Sequence, residues 1–170
     1  GSQASEYVTK FSSDLIKYIN DEKIINAKYF IQSPKHMIKK ITSELNNVNS
    51  EIIIREYFYN IEDILQNTSL VISRAGAGCI VDLINYSIPS ILIPLPSAKD
   101  NHQFFNATIL SDQGLALIVN QNSNDLQKAK KYIYKIYDSF NNIEIINNKF
   151  DKIKVKNSNS LIYKLITNEQ

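Results

Sequence analysis

Apolar residues return at intervals of three and four at Val8, Phe11, Leu15 and Ile19, which sets them on one face of a helix beginning near Ser5. The next apolar stretch has a different character. Ala27 to Gln32 is short, carries Tyr29, Phe30 and Ile31 in succession, and closes on the turn-forming Ser33 and Pro34, as a buried strand does. A second helix is predicted from about His36 to Leu45. The alternation then repeats, with strand Glu51 to Ile54, helix Ile61 to Asn67, strand Leu70 to Ser73, and a helix that opens at Ala77 and carries Ile80, Leu83 and Ile84. Ser90 to Pro94 reads as another strand, and Asn101 to Ser111 as a helix with Phe105 and Ile109 four apart. Leu115 to Val119 reads as a strand and Asp125 to Ser139 as a long helix. Beyond Asn141 the chain is rich in Asn and Lys until Leu161, Ile162, Leu165 and Ile166 predict a last amphipathic helix. A helix after each strand implies an α/β class, with a parallel sheet covered on both faces. In doubly wound sheets ligands bind at the carboxyl ends of the strands, so the loops that leave those ends are where chemistry is to be sought.

Composition narrows this picture. A chain of 170 residues with 44% hydrophobic content suffices for one well-packed core and is short for two. The net charge of +2, from 19 basic and 17 acidic residues, lacks the concentrated basic excess of a phosphate-neutralising protein, which argues against nucleic acid as a partner. Cys79 is the single cysteine, so no internal disulfide forms, no zinc ligand set is expected, and a reduced, cytosolic setting fits best. No apolar run approaches the roughly 20 residues needed to cross a bilayer, and the N-terminus lacks the regions of a signal peptide, so the expectation is a domain that is soluble or lies on a membrane surface.

Two loops carry candidate chemistry. Ser73 to Cys79 (SRAGAGC) follows a strand and opens a helix, where glycines let the main chain approach an anion and the free amides of the helix start offer donors to phosphate. The same residues also suit a plain strand-to-helix turn. Asp82, four residues after Gly78, lies on the same helix face and is either an acceptor for ribose hydroxyls or a solvated carboxylate. The second loop, Pro94 to Gln103 (PLPSAKDNHQ), leaves its strand through two prolines. Asp100 is expected to cap the following helix through the amides of His102 or Gln103. His102 and Gln103 suit sugar hydroxyls, although a lone histidine more often has a structural duty. Cys79 reads as a small filler ahead of a thiol activated by the helix start. Lys128, Lys130, Lys131 and Lys135 read as a solvated helix face ahead of a basic patch for an anionic membrane, and Tyr132 and Tyr134 among them as helix packing.

Leu70 to Gly78 (LVISRAGAG), Pro89 to Pro96 (PSILIPLP), Asp100 to Gln103 (DNHQ), and Asn106 with Ala107 together resemble the C-terminal domain of the MurG-like N-acetylglucosaminyltransferases in order and spacing. The resemblance runs from about Gly1 to Val119, with the helices beyond matching that domain's tail more loosely. It implies a Rossmann-like parallel sheet, the C-terminal half of a GT-B glycosyltransferase. Residues 1–140 would form the domain that binds the UDP-sugar, its first strand absent, and residues 141–170 a helical tail. Gly1, Ser2 and Gln3 resemble the end of the family's Gly-Gly-Ser-Gln-Gly loop, which contacts the donor phosphates. A Gly-Ser pair is also a common cloning remnant, and Gln3 with the helix behind it favours the loop. Ala77, Gly78 and Cys79 match the amide-rich turn facing diphosphate and sugar, and Asp82 the ribose ligand. His102 and Gln103 match the pair that reads the N-acetylglucosamine hydroxyls, and Tyr57 and Phe58 a pair near uracil. Two positions depart from the family, since Asp82 stands where Glu is usual and Ala4 where the loop has its third Gly.

By that resemblance the partners are UDP-N-acetylglucosamine and, through an N-terminal domain, a lipid-linked muramyl-pentapeptide acceptor, with peripheral contact at the inner face of the bacterial cell membrane. No cofactor or metal is implied, the transfer is direct and inverting, and no catalytic acid or base is assigned to these residues. Two alternatives stand beside this reading: a nucleotide-sugar-binding subunit that acts only with a separate acceptor-binding protein, and a GT-B enzyme of other sugar specificity.

Overall fold

A computed structural model describes residues 5–20, 27–121, 123, 125–140 and 143–157. The element order is α1 (Glu6–Asn20), β1 (Tyr29–Gln32), α2 (Lys35–Glu44), β2 (Ile52–Arg55), α3 (Ile61–Gln66), β3 (Val71–Ser73), α4 (Ala77–Asn85), β4 (Ser90–Leu92), α5 (His102–Ser111), β5 (Ala116–Ile118), α6 (Leu126–Ser139) and α7 (Ile143–Asn157), with a 3-10 turn at Lys99–Asn101. All strand pairs are parallel, in register Tyr29 to Ile52, Val71 to Ser90 and Ser90 to Ala116. The fold is therefore the α/β class with parallel strands that the alternation implied, in keeping with the Rossmann-like sheet that the resemblance implied. The described strands fall into two hydrogen-bonded groups, β1-β2 and β3-β4-β5, with α1 lying against both.

The core is organised by β4. Its side chains alternate across the sheet, and both sides are dry. Ile91, with Ile93 just beyond the strand, packs against Phe11, Leu15 and Ile19 of α1 and Ala129, Tyr132 and Ile136 of α6. Leu92 points the other way, into Ile80, Leu83 and Ile84 of α4 and Ala107 and Leu110 of α5. A continuous apolar run follows from this, because neither face has water to meet a polar residue. A third, smaller cluster joins Ile16 of α1 to Ile31 of β1 and Ile41 of α2. At the end of α5 the chain reverses through Gly114 (φ 69°), with the Leu115 amide bonded to the Leu110 carbonyl at 2.9 Å, a glycine-dependent helix stop that feeds β5.

α7 is the element that periodicity missed. Ile146, Phe150 and Ile153 recur at steps of four and three and enter the α4 and α5 cluster, with Phe150 fully buried. The helix expected around Leu161 to Ile166 lies outside the described residues. Ser90 Oγ and Tyr132 Oη are buried without a hydrogen-bond partner among the described residues.

Chemical denaturation checks both features. Phe150→Ala is expected to cost about 3–5 kcal/mol, as deletion of a buried ring from a core does. Ser90→Ala is expected to raise stability by about 1 kcal/mol, because it removes an unsatisfied buried hydroxyl.

Candidate functional site

β3 ends at Ser73, and three residues later Gly76 is the N-cap of α4, in extended backbone (φ −66°, ψ 152°) with no side chain capping the helix. The first helical hydrogen bond runs from the Ile80 amide to the Gly76 carbonyl at 3.1 Å. The amides of Ala77, Gly78 and Cys79 precede it and therefore have no acceptor within the helix. Neither Gly76 nor Gly78 has the positive φ that demands glycine, and a Cβ on either would meet nothing within 4 Å. Among the described residues nothing in the packing calls for glycine here. What the two residues provide is open space beside a helix start whose first three amides lack helical acceptors, and such a start can receive an anion.

The side chains of α4's first turns divide into packing and solvent. Cys79 Sγ lies 3.1 Å from Ser73 Oγ, and burial pushes its thiol up, outweighing the Ser73 hydrogen bond; it fills space beside β3. Asp82 is exposed, yet partial burial against the helix surface raises its carboxyl above the usual carboxylate range, and the Glu62 carboxylate of α3 adds to this. α3 follows the loop after β2. In that loop Tyr57 is half exposed and meets Tyr59 ring to ring at 5.0 Å. Phe58 is buried, edge-on to Phe30 at 6.0 Å and beneath the Arg55 guanidinium. Phe58 thus packs inward and Tyr57 faces outward. Ser2 and Gln3 lie outside the described residues.

The loop after β4 reaches α5 differently from expectation. Asp100 and Asn101 both adopt left-handed backbone (φ 52° and 53°), and this moves the N-cap to Asn101, with no side-chain cap bond. Asp100 is therefore not the cap. Two successive non-glycine residues in this region cost about 1–2 kcal/mol each, and such strain persists only where surrounding contacts hold it. Those contacts are visible. Gln103 Oε1 accepts from the Leu95 amide at 3.0 Å, which secures the loop to the helix and leaves its Nε2 as donor. The buried Asn106 Nδ2 donates to the Ala75 carbonyl at 3.1 Å, tying α5 to the glycine turn and setting the half-buried His102 and Gln103 at the same end of the sheet as Ala77 to Cys79.

Arg74 belongs to the same glycine-rich segment. Its guanidinium donates from one nitrogen to the carbonyls of Ile93 (3.0 Å) and Pro94 (3.3 Å), and from the other to Ser5 Oγ (3.1 Å) and Gln121 Oε1 (2.8 Å), and lies 6.0 Å from the Tyr7 ring centre. Desolvation lowers its pKa from the ordinary value. No sequence signal marks this beyond the position of an arginine at a strand end.

A doubly wound α/β domain with uncapped helix starts over the carboxyl ends of its strands has the architecture of a nucleotide-binding domain. The model of the glycosyltransferase family 28 C-terminal domain matches residues 1–162, and the chain belongs to that family. The UDP-N-acetylglucosamine--N-acetylmuramyl-(pentapeptide) pyrophosphoryl-undecaprenol N-acetylglucosamine transferase of Campylobacter jejuni subsp. jejuni serotype O:23/36 (strain 81-176) is 32% identical over 162 residues, covering 95% of this chain and 45% of that protein. The transferase of the same name from Rickettsia bellii (strain RML369-C) is 35% identical over 150 residues, covering 87% and 41%. The crystal structure of Acinetobacter baumannii MurG superposes with a TM-score of 0.72 at 19% identity, over 91% of this chain and 43% of that one, and shares the fold of a GT-B C-terminal domain. The chain spans about half the length of the curated relatives it matches.

Substitution of the glycines separates packing from ligand space. Gly78→Ala is expected to leave the fold intact or stabilise it by roughly 0.5–1 kcal/mol, since alanine favours the helix and the space is open. The same change is expected to weaken binding of inorganic pyrophosphate or UDP in calorimetry.

Proposed function

We propose that this chain is the donor half of an inverting N-acetylglucosaminyltransferase, binding UDP-N-acetylglucosamine for transfer to a lipid-linked muramyl-pentapeptide. The observation that carries it is the α4 start, where the amides of Ala77, Gly78 and Cys79 lack helical acceptors and a Cβ on Gly76 or Gly78 would meet nothing within 4 Å, with Asp82 one turn below and Gln103 across the same end of the sheet. In this reading the diphosphate sits on the α4 amides and Asp82 accepts from the ribose. Tyr57 lies towards the base, Ser2 and Gln3 reach the phosphates from the start of the chain, and His102 with the Gln103 Nε2 reads the sugar. The donor amides stabilise charge that gathers on the departing UDP, an effect that strengthens where water is excluded. The acceptor and the group that takes its proton belong to another domain, which faces this one across a cleft.

Residues 1–140 form the donor domain in this proposal. The separation of β1-β2 from β3-β4-β5 beneath a shared α1 is read as room for one more parallel strand. The relatives' names place a pyrophosphoryl-undecaprenol on their acceptor, so we assign the chain to the cytoplasm, peripheral to the inner face of the membrane. No helix among the described residues is long and apolar enough to cross a membrane. The lysines of α6 are partly engaged locally, Lys128 with Asp125 at 3.0 Å and the Lys130 ammonium 4.7 Å from the Tyr18 ring centre.

Calorimetric titration with UDP-N-acetylglucosamine, UDP-glucose and UDP-N-acetylgalactosamine tests the reading. Preferential binding of the first is expected, weakened at least about tenfold in Asp82→Ala, as loss of charged hydrogen bonds implies. A folded chain that bound none of the three would remove the proposal. The pH dependence has a fixed sign. Only the ionised Asp82 accepts from both ribose hydroxyls, so affinity falls as pH drops, and the raised pKa starts that fall above the ordinary carboxylate value of about 3.9. Titrations repeated down the pH scale, with Asp82→Asn as the insensitive control, measure it.

A further inference from the structure

Arg74 directs four hydrogen bonds to three separate segments, and all four acceptors are uncharged. Among the described residues it forms no ion pair with a carboxylate. A planar guanidinium has donors on fixed sides of one plane, so it sets the distance between the groups it bridges. One side holds the Ile93 and Pro94 carbonyls at the end of β4. The other holds Ser5 at the threshold of α1 and Gln121 beyond β5.

The bridge continues toward the sugar-facing residues. Pro94 leads directly to Leu95, whose amide is held by Gln103 Oε1 at 3.0 Å. Ala75, the residue after Arg74, receives Asn106 Nδ2 at 3.1 Å. α5 is thus tethered twice to the glycine turn of α4. Asn106 fixes the helix itself, whereas the loop to which the Gln103 side chain is bonded is fixed by Arg74. Without the guanidinium, the Ile93 and Pro94 carbonyls lose this donor, and the Leu95 segment keeps its tie to Gln103 but loses the one that sets its distance from the α4 turn.

We propose that Arg74 is a positioning residue for the donor site: without touching the nucleotide sugar, it fixes the spacing between the phosphate-facing turn of α4 and the sugar-facing Gln103, and so sets how strictly the sugar is discriminated. This rests on the donor-site reading above. A displacement on the order of 1 Å at a positioned group can cost about a hundredfold in rate, and a hydroxyl epimer is distinguished by where a donor stands. Lysine does not replace arginine here, because a single ammonium cannot reach both sides of the bridge.

The experiment compares the whole chain with Arg74→Lys and Arg74→Met. Dissociation constants are measured for UDP, UDP-N-acetylglucosamine and UDP-N-acetylgalactosamine, together with the melting temperature and the ligand-free amide exchange of Leu95 by NMR. The expected result is a loss of about tenfold or more in the preference between the two sugars, with UDP weakened less, and Leu95 exchange faster by about tenfold while core amides stay protected. If Arg74→Met fails to fold, Arg74→Lys, which keeps charge and bulk, decides. Equal weakening of all three ligands in step with melting temperature, with Leu95 no faster than the core, makes Arg74 a brace of the fold and overturns the proposal. A wild-type chain that binds no ligand overturns both readings. One that binds while Arg74→Lys keeps full sugar preference overturns this one alone.

Discussion

Burial of β4 on both faces is the constraint from which the rest of the arrangement follows. Ile91 and Ile93 need α1 and α6 on one side, and Leu92 needs α4, α5 and α7 on the other. With both faces closed, backbone groups meet solvent only at the strand ends. Parallel strands bring all their carboxyl ends to one edge, so the starts of α4 and α5 emerge side by side there. The chemistry of the chain is collected at that edge because the hydrophobic layers leave it nowhere else to go.

The edge is also where the protein forgoes local stability. Neither α4 nor α5 has a side-chain N-cap, a contribution typically worth about 1 kcal/mol each. Asp100 and Asn101 are held in left-handed backbone as well. The starts of α2, α3 and α6 lack side-chain caps too, and Ser87 is left-handed at the far end of α4, so what sets the start of α4 apart is the open space beside Gly76 and Gly78. The open space beside Gly76 and Gly78 leaves room for a ligand there.

The polar ties that hold this edge together differ from the apolar contacts beneath it. Asn106, Gln103 and Arg74 each bond to backbone groups of another segment. They contribute direction where the hydrophobic core contributes only proximity. The buried Asn106 answers a carbonyl that would otherwise lack a donor, so the tie is required for stability as well as for geometry.

The element order, the parallel α/β class and the two loops at the carboxyl ends were legible in the residues themselves, because helix and strand periods and glycine or proline turns are written in local spacing. The resemblance carried by LVISRAGAG, PSILIPLP and DNHQ was legible for the same reason, as contiguous strand-and-turn segments. What lay beyond reach was set by partners distant in the chain. Ile146, Phe150 and Ile153 look unremarkable among Asn and Lys until α4 and α5 close over them. Phe58 and Tyr57 are adjacent and chemically alike, and only the position of Phe30 decides which one is buried. Asp100 has the composition of a helix cap, but the left-handed turn that removes it from that duty is imposed by the geometry between β4 and α5. Arg74 reads as a charge in a glycine-rich motif, whereas its partners are 69, 19, 20 and 47 residues away. Sequence by itself determined which segments form and which loops carry polar groups. The tertiary structure decided which of those groups face one another, since hydrogen-bond direction and burial depend on neighbours that no local pattern specifies.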